Sequence, residues 1–166
     1  VKTIRNPNPR RGNLNIAVVS ENSSGQLTTS NAIIKDNLRT WIDKSRMVSD
    51  VVEIVDARII NLGVNFSVVG DLNKDSETVL QNCITAVTGN CSTKADIGED
   101  FYITDVYKAL KDVDGVIDVV DVDVKTKQGA SYSSTTFNVE ENLSDDGRAI
   151  IIPRNAIYEV KFPNID

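Results

Sequence analysis

Residues 57–70 read ARIINLGVNFSVVG, and this stretch decides the fold because it carries the strongest two-residue alternation in the chain. Successive side chains of a strand point to opposite faces, so the alternation predicts one long strand. One face is buried, and the other is either wet or covered by something polar. Such a strand suits an antiparallel or mixed sheet with helices on one side. The buried face is predicted to carry Ile60, Leu62, Val64, Phe66 and Val68, and the polar face Asn61, Gly63, Asn65 and Ser67.

The segment before this strand predicts a strand and a helix. NLNIAVVS, residues 13–20, is a short apolar run typical of a buried strand. NAIIKDNLRTWIDKSR, residues 31–46, repeats its apolar side chains at helical spacing. Thr28, Thr29 or Ser30 is expected to cap this helix. Its apolar stripe is Ile34, Leu38, Trp41 and Ile42, with Trp41 interpreted as a core anchor.

Two more helices are expected after the long strand. The first, within residues 71–90, is capped by Asp75 or Ser76 and ends at the pair Gly89 and Asn90, which suits the left-handed turn after a helix. Its apolar stripe is Val79, Leu80, Cys83, Ile84 and Val87. The second, DVYKALKDV at residues 105–113, is expected to be capped by Thr104. Its apolar side is Val106, Tyr107, Leu110 and Val113.

Residues 110–125, LKDVDGVIDVVDVDVK, are rich in aspartate. The segment 117–124 (IDVVDVDV) aligns with 52–59 (VEIVDARI), and both follow a predicted helix, so both are expected to be strands. DVDG at residues 112–115 then becomes the turn. Val120, Val122 and Val124 are expected to share one face, and Asp121 and Asp123 the other. Asp118 breaks this pattern, because it shares the parity of the valines; it is placed at a wet strand start.

A second interpretation of these aspartates is a metal-dependent hydrolase that uses Asp118, Asp121 and Asp123. A calcium loop of the helix-loop-helix type needs ligands at fixed positions, glycine at the sixth and glutamate at the twelfth. Here Gly115 is fourth from Asp112, and no glutamate closes the loop. Patterned charges usually mark solvent. We therefore expect a solvated strand face, and no catalytic, cofactor-binding or metal-binding residue.

Composition excludes several other classes of function. The chain has no histidine, which removes Ser-His and Cys-His nucleophiles and His-rich metal sites. Its two cysteines, Cys83 and Cys91, cannot form a four-thiolate zinc site; a disulfide between them is a weaker alternative to free thiols. The net charge of −6 argues against nucleic acid as a partner. No apolar run approaches the length needed to span a bilayer, so no membrane contact is expected.

The end of the chain predicts a polar excursion followed by a strand. Residues 125–149 carry turn signals and are interpreted as a protruding hairpin or long loop, in which SSTTFNV at 133–139 is interpreted as a strand. AIYEVKFPNID at 156–166 alternates and stops at Pro163, so it is expected to be a final strand near an edge.

These elements predict an α+β fold in two layers, with a mixed or antiparallel sheet and helices mainly on one face. Two similar small halves are expected. The first twelve residues are interpreted as an extended linker, residues 13–72 as a strand-helix-strand unit, and residues 73–166 as a helix-strand unit carrying the 125–149 excursion. Because the chain begins without methionine, we expect either a carboxy-terminal piece of a longer polypeptide or a trimmed chain.

Three segments resemble the carboxy-terminal part of the baseplate wedge proteins of contractile-tailed bacteriophages, of the T-even wedge ring and baseplate J-like type. They are the strand, turn, helix and strand from NLNIAVVSENSSGQLTTSNAIIKDN to INLGVNFSV (13–68), then FYITDVYKALKDVDGVIDVVDVDV (101–124), then AIYEVKFPNID (156–166). The match rests on pattern, covers residues 12–166, and contains no catalytic motif. The large amino-terminal portion of the family is absent from this sequence.

The resemblance implies a structural role without cofactors. Such proteins pack against copies of themselves and other wedge proteins in the ring around the tail hub. It therefore implies a homo-oligomer in the full-length context, a location in the virion tail, and production in the bacterial host cytoplasm. A small ligand-binding or carbohydrate-binding module, suggested by the Asn/Ser-rich loops, and the aspartate hydrolase remain as alternatives.

Overall fold

The computed structural model describes residues 2–5, 13–45, 51–91, 95–129 and 131–161. Its strands and helices confirm the expected α+β class. In chain order they are β1 (Lys2–Arg5), β2 (Asn13–Val18), β3 (Ser20–Glu21), β4 (Leu27–Thr28), α1 (Ala32–Asp43), β5 (Val51–Asp56), β6 (Arg58–Gly70), α2 (Ser76–Cys91), β7 (Phe101–Tyr102), α3 (Ile103–Lys111), β8 (Val116–Thr126), β9 (Ala149–Ile150) and β10 (Ala156–Glu159).

The chain forms two compact units, and unit 1 comprises residues 1–59, 96–98 and 153–157. Its sheet has the order β1-β2-β5, with β2 antiparallel to β1 and parallel to β5. On one face of this sheet a buried cluster packs against α1; it comprises Ile16, Val18 and Ile54, with Leu38 and Ile42 of the helix against them. A second cluster comprises Ala17, Ala57, Ile97 and Ile157.

Polar contacts anchor the start of α1 to the end of β5. The Lys35 ammonium lies 2.8 Å from the Asp56 carboxylate. The Ser30 backbone N–H donates to the same carboxylate at 3.3 Å, and the Ser30 hydroxyl accepts a hydrogen bond from Ser20 at 2.8 Å. Asp56, which the sequence aligned with Asp121, therefore has a structural partner within unit 1.

Unit 2 comprises residues 60–95, 99–152 and 158–166. β8 pairs antiparallel with β6 and is an edge of the sheet β10-β6-β8, while α3 contacts both β8 and α2. The buried side chains come from both strands and both helices. They include Val64, Val122 and Val124 from the strands, Val79, Cys83 and Val87 from α2, and Ile103, Val106 and Leu110 from α3.

The polar face of β6 is covered at one end and open at the other. Asn61 is only 3% exposed, and its side-chain oxygen accepts a hydrogen bond from the Ser133 N–H at 2.6 Å. Gly63 lies under the Lys127 side chain, which a Cβ at that position would overlap. Beyond Val64 the same face is exposed at Asn65 and Ser67. The alternation left open whether this face is wet or covered by polar groups, and β6 shows both, one at each end.

The predicted DVDG turn is confirmed. α3 ends at Lys111 and β8 begins at Val116, with Gly115 at a φ of +100° between them. A Cβ on Gly115 would lie 2.7 Å from Cγ2 of Val79, on α2. Both the backbone conformation and the close approach of α2 require glycine here.

The helix starts agree with the sequence at α2 only. The Asp75 carboxylate accepts hydrogen bonds from the N–H and the hydroxyl of Thr78 at 2.9 and 2.6 Å, which confirms the predicted cap. At α1 the prediction of residues 28–30 is wrong, because Asn31 caps the helix by accepting from the Ile33 N–H. At α3 the cap position is Tyr102, without a side-chain hydrogen bond, and the predicted Thr104 lies inside the helix.

The predicted end of α2 at Gly89 and Asn90 is also wrong. The helix continues to Cys91, and neither residue has a positive φ. Glycine costs about 1 kcal/mol in a helix interior, which the packed apolar stripe of a helix of this length can offset.

Residues 133–139, interpreted as a strand, form none. The Ser133 and Thr135 hydroxyls bond to each other at 2.9 Å, and the Thr135 N–H donates to Ser133 Oγ at 3.1 Å. Such local bonds offer the backbone an alternative to a sheet ladder. Phe137 is buried, and its carbonyl accepts a hydrogen bond from the Thr126 hydroxyl at 3.0 Å. The segment is a loop attached to β8.

The chain ends confirm part of what the sequence suggested. β10 is the expected final strand at a sheet edge, and residues 162–166 of that prediction lie outside the described residues. Of the predicted linker, Lys2–Arg5 forms β1, and the rest also lies outside them. The division into residues 13–72 and 73–166 stays a prediction. In the described ranges, no helix combines the length and apolarity that crossing a bilayer requires.

Candidate interaction surface

The aspartates of β8 face solvent or pair with lysines. Asp118 and Asp121 are exposed, and Asp123 is half-buried. The Asp123 carboxylate lies 2.8 Å from Lys125 Nζ, and this hydrogen bond raises the pKa of Lys125. Asp118 lies 4.0 Å from Lys111 Nζ. Within the ranges that the structure describes, no three acidic or thiol side chains converge on a point that could hold a metal ion.

β8 has two irregularities, and the first of them explains why Asp118 broke the predicted alternation. Ser67 lies opposite Asp121 and Val68 opposite Val119, so Val120 is an extra residue. A second shift leaves Ile117 as an extra residue, because Val69 lies opposite Asp118 and Gly70 opposite Val116. Each β-bulge reverses the parity of the strand beyond it. The expectation that Val120 shares the buried face of Val122 and Val124 is therefore wrong.

The extra residues of both bulges are turned to solvent. Val120 is 63% exposed and Ile117 is 61% exposed, whereas Val122 and Val124 are buried. Val69 of β6, directly opposite Asp118, is 45% exposed. Apolar side chains therefore lie among the aspartates on the outer face of this strand pair.

The largest departure from the sequence analysis is Trp41, which is 68% exposed and does not anchor the core. Of the predicted stripe of α1, Leu38 and Ile42 pack against the sheet of unit 1. Ile34 is 53% exposed, and the residue before it, Ile33, is 66% exposed. We call Ile33, Ile34 and Trp41 the α1 ridge.

The α1 ridge exists because the apolar stripe of the helix is wider than the cluster beneath it. Residues 34 and 41 are separated by nearly two full turns and lie on one side of the stripe. Among the described residues, the facing cluster comprises Ile16, Val18 and Ile54, and Leu38 and Ile42 of the helix pack against it beside Val52 of β5. Stripe width is readable in the sequence, but the width of the partner surface is not.

Two open concave regions lie within unit 2. One, of about 590 Å³, lies beside the start of α2 and is lined by Val68, Leu72, Lys74, Val79 and Leu80, among others. The other, of about 550 Å³, runs along β8 from Val122 to Thr126 against the 138–147 loop. Asp75 and Ser76 also line the first region, where the Asp75 carboxylate accepts two hydrogen bonds from Thr78. The Ser133 and Thr135 hydroxyls of the neighbouring loop bond to each other.

The cysteines are free and lie on one helix. Cys83 and Cys91 are eight residues apart in α2, which separates their backbones by about 12 Å, too far for a disulfide. Burial raises the pKa of Cys91 to about 11 and also raises that of Cys83. Thiols held protonated in this way are poor nucleophiles and metal ligands. Tyr158 also has a raised pKa, of about 12. Burial is the largest cause, and the negative charge of the Glu99 carboxylate is the second.

Comparison with known proteins gives a likeness of fold. No protein-family model matches the chain. No curated protein matches its sequence. Its fold is similar to that of a chain in the cryo-EM structure of the anti-feeding prophage (AFP) baseplate, 6-fold symmetrised, with a TM-score of 0.56 at 8% sequence identity. The similarity covers 93% of this chain, which spans 30% of the length of that chain.

Proposed function

We propose that the chain is a structural module of a contractile-tail baseplate, without a catalytic role. It would contact copies of itself and other wedge proteins in the ring around the tail hub, as a homo-oligomer in its full-length context. It would reside in the virion tail after synthesis in the host cytoplasm. The observation that carries this proposal is the α1 ridge, on a chain whose fold is similar to a baseplate chain over 93% of its length.

The α1 ridge has the chemistry of a contact centre. Tryptophan is enriched among the residues that dominate interface energetics. Because Trp41 is 68% exposed, its burial in a contact would contribute about 3 kcal/mol to the free energy of binding. Ile33 and Ile34, each more than half exposed, extend that surface along the helix. A helix already fixed on its sheet adds little ordering cost when it binds, which favours assembly.

The first experiment measures molar mass by light scattering over a protein concentration series, together with the emission of Trp41. Because Trp41 is the only tryptophan, its emission reports the ridge alone. We expect mass to rise with concentration and the emission to shift to shorter wavelength over the same range. Both changes should be the same with calcium and with EDTA, since the proposal requires no metal.

A pair of variants locates the contact. Trp41→Ser combined with Ile34→Ser should remain monomeric at all concentrations. Ile151→Ser is the matched control, because Ile151 is 52% exposed but lies outside α1. A mass that stays constant for the parent chain contradicts self-association through the ridge. Calcium-dependent mass would instead favour the aspartate site.

A further inference from the structure

A second surface, outside α1, lies on the outer side of the β6–β8 pair. We define the bulged face as Val69, Ile117, Asp118, Val120 and Asp121. Cross-strand partners in an antiparallel pair share a face, which places Val69 beside Asp118. The two bulges add Ile117 and Val120, which are 61% and 63% exposed. The face therefore has an apolar centre between two carboxylates.

The bulged face lies at one end of unit 2, and this end is strongly acidic. Residues 70–77 and 111–121 hold seven acidic side chains against two basic ones, an excess of five in a chain whose net charge is −6. These segments converge: the Asp71 N–H donates to the Gly115 carbonyl at 2.9 Å, and Lys74 pairs with Asp114. Leu72, at the same end, is 99% exposed.

Both cations of this end are already engaged, Lys74 with Asp114 and Lys111 with Asp118. Asp121 has no hydrogen-bond or ion-pair partner among the described residues. The remaining field is negative, and it surrounds apolar side chains that water solvates poorly. Two bulged faces brought together would oppose like charges, which disfavours a second copy in this position.

We propose that the bulged face binds a basic surface of another protein, with lysine or arginine side chains flanking an apolar contact. The apolar centre formed by Ile117, Val120 and Val69 would supply the buried contact. Asp118 and Asp121 would supply charge complementarity at its rim, which chiefly governs association rate and salt dependence. This inference deepens the proposed assembly role, and it uses residues that the α1 ridge does not.

The probe for this proposal is a labelled amphipathic peptide, acetyl-LKKLLKLLKKLLKL-amide, whose helix presents leucines flanked by lysines. The control peptide carries glutamate in place of every lysine. Binding is measured by fluorescence anisotropy at low and at physiological salt. We expect saturable binding of the lysine peptide that persists at physiological salt, and no binding of the glutamate peptide.

Two variants and two matched controls locate the binding. Ile117→Ser with Val120→Ser, and Asp118→Asn with Asp121→Asn, should each weaken binding about tenfold. The controls, Ile151→Ser and the charge-matched pair Glu141→Gln with Asp145→Asn, should change affinity by less than about twofold. The four acidic residues replaced in these variants, Asp118, Asp121, Glu141 and Asp145, are all exposed.

Three results would overturn the inference. They are absence of binding at physiological salt, equal weakening by the control and test variants, and undiminished binding to the serine variant. The Trp41→Ser and Ile34→Ser chain should bind the peptide as the parent does. Failure of the α1 ridge and failure of the bulged face are thereby observed separately.

Discussion

Gly115→Ala tests the tightest point of unit 2, the turn that joins α3 to β8. The new Cβ would meet Val79 Cγ2 at 2.7 Å and Lys74 Cδ at 3.0 Å, on a backbone with a φ of +100°. The lysine stem can move aside. Val79 is β-branched and lies in α2, so its rotation is restricted, and the strain must be taken up by the helix or the turn.

Two costs add at this position. A side chain held at positive φ costs about 1 to 2 kcal/mol, and forced overpacking of a core costs about 1 to 3 kcal/mol. We therefore expect Gly115→Ala to lower the free energy of unfolding by about 2 to 5 kcal/mol. For a chain of this size, a loss of about 3 kcal/mol corresponds to a fall in Tm of about 6 to 12 °C.

Two other glycines of unit 2 separate these costs. Gly147 has a φ of +69° with no atom near its Cβ position, so Gly147→Ala should cost only the strain, about 1 to 2 kcal/mol. Gly89 lies within α2 in open space, so Gly89→Ala should raise stability by about 0.5 to 1 kcal/mol.

The three variants are compared by urea unfolding followed by circular dichroism. Combining Gly115→Ala with Val79→Ala should remove most of the packing cost, which a double-mutant cycle measures. If Gly115→Ala costs no more than Gly147→Ala, then α2 does not approach the turn as described, and the reasoning fails.

Three further predictions concern other parts of the chain. Hydrogen bonds from Thr78 lower the pKa of Asp75 below its ordinary value of 3.8, so its contribution to stability is complete above that pH and is lost as the pH falls through the lowered value. Asp75→Asn should therefore show a smaller fall in Tm between neutral and acid pH than the parent, and equal slopes would contradict this. Neither cysteine should react quickly with Ellman's reagent at pH 8, since Cys83 is fully buried and burial raises the pKa of Cys91 to about 11. Both should react at once in urea, and fast native labelling would show an open α2. Asn61→Ala leaves the Ser133 N–H without its acceptor and should cost about 1 to 3 kcal/mol in urea unfolding, whereas the exposed Asn65→Ala should change stability by less than about 0.5 kcal/mol. Equal effects at residues 61 and 65 would mean that the loop does not rest on β6.

The sequence predicts the regular elements well, because their periodicity is a local property. The alternation of residues 60–68 predicts β6, the aspartates of 117–124 lie on a strand as expected, and Asp75 caps α2. Choices among neighbouring capping residues are harder to predict. Asn31 caps α1 while Ser30 bonds to Ser20, a contact that depends on the β3–β4 turn.

The candidate surfaces could be predicted only in part. The apolar stripe of α1 is visible in the sequence, yet the exposure of Trp41 depends on which part of that stripe the facing cluster covers, and that part is Leu38 and Ile42. The bulge at Val120 left one sign in the sequence, the parity that Asp118 shares with the valines. That sign can be interpreted only when the partner strand is known, because register is a relation between two segments.

The same bulges give β6 and β8 a property that smooth strands lack. A regular ladder can slip by two residues and restore every side chain to its face. Here a slip would require other residues to replace Val120 and Ile117 as the extra residues at the same time. The two bulges therefore hold β6 and β8 in a single register. A force applied along this strand pair would therefore displace both strands together, without sliding one past the other.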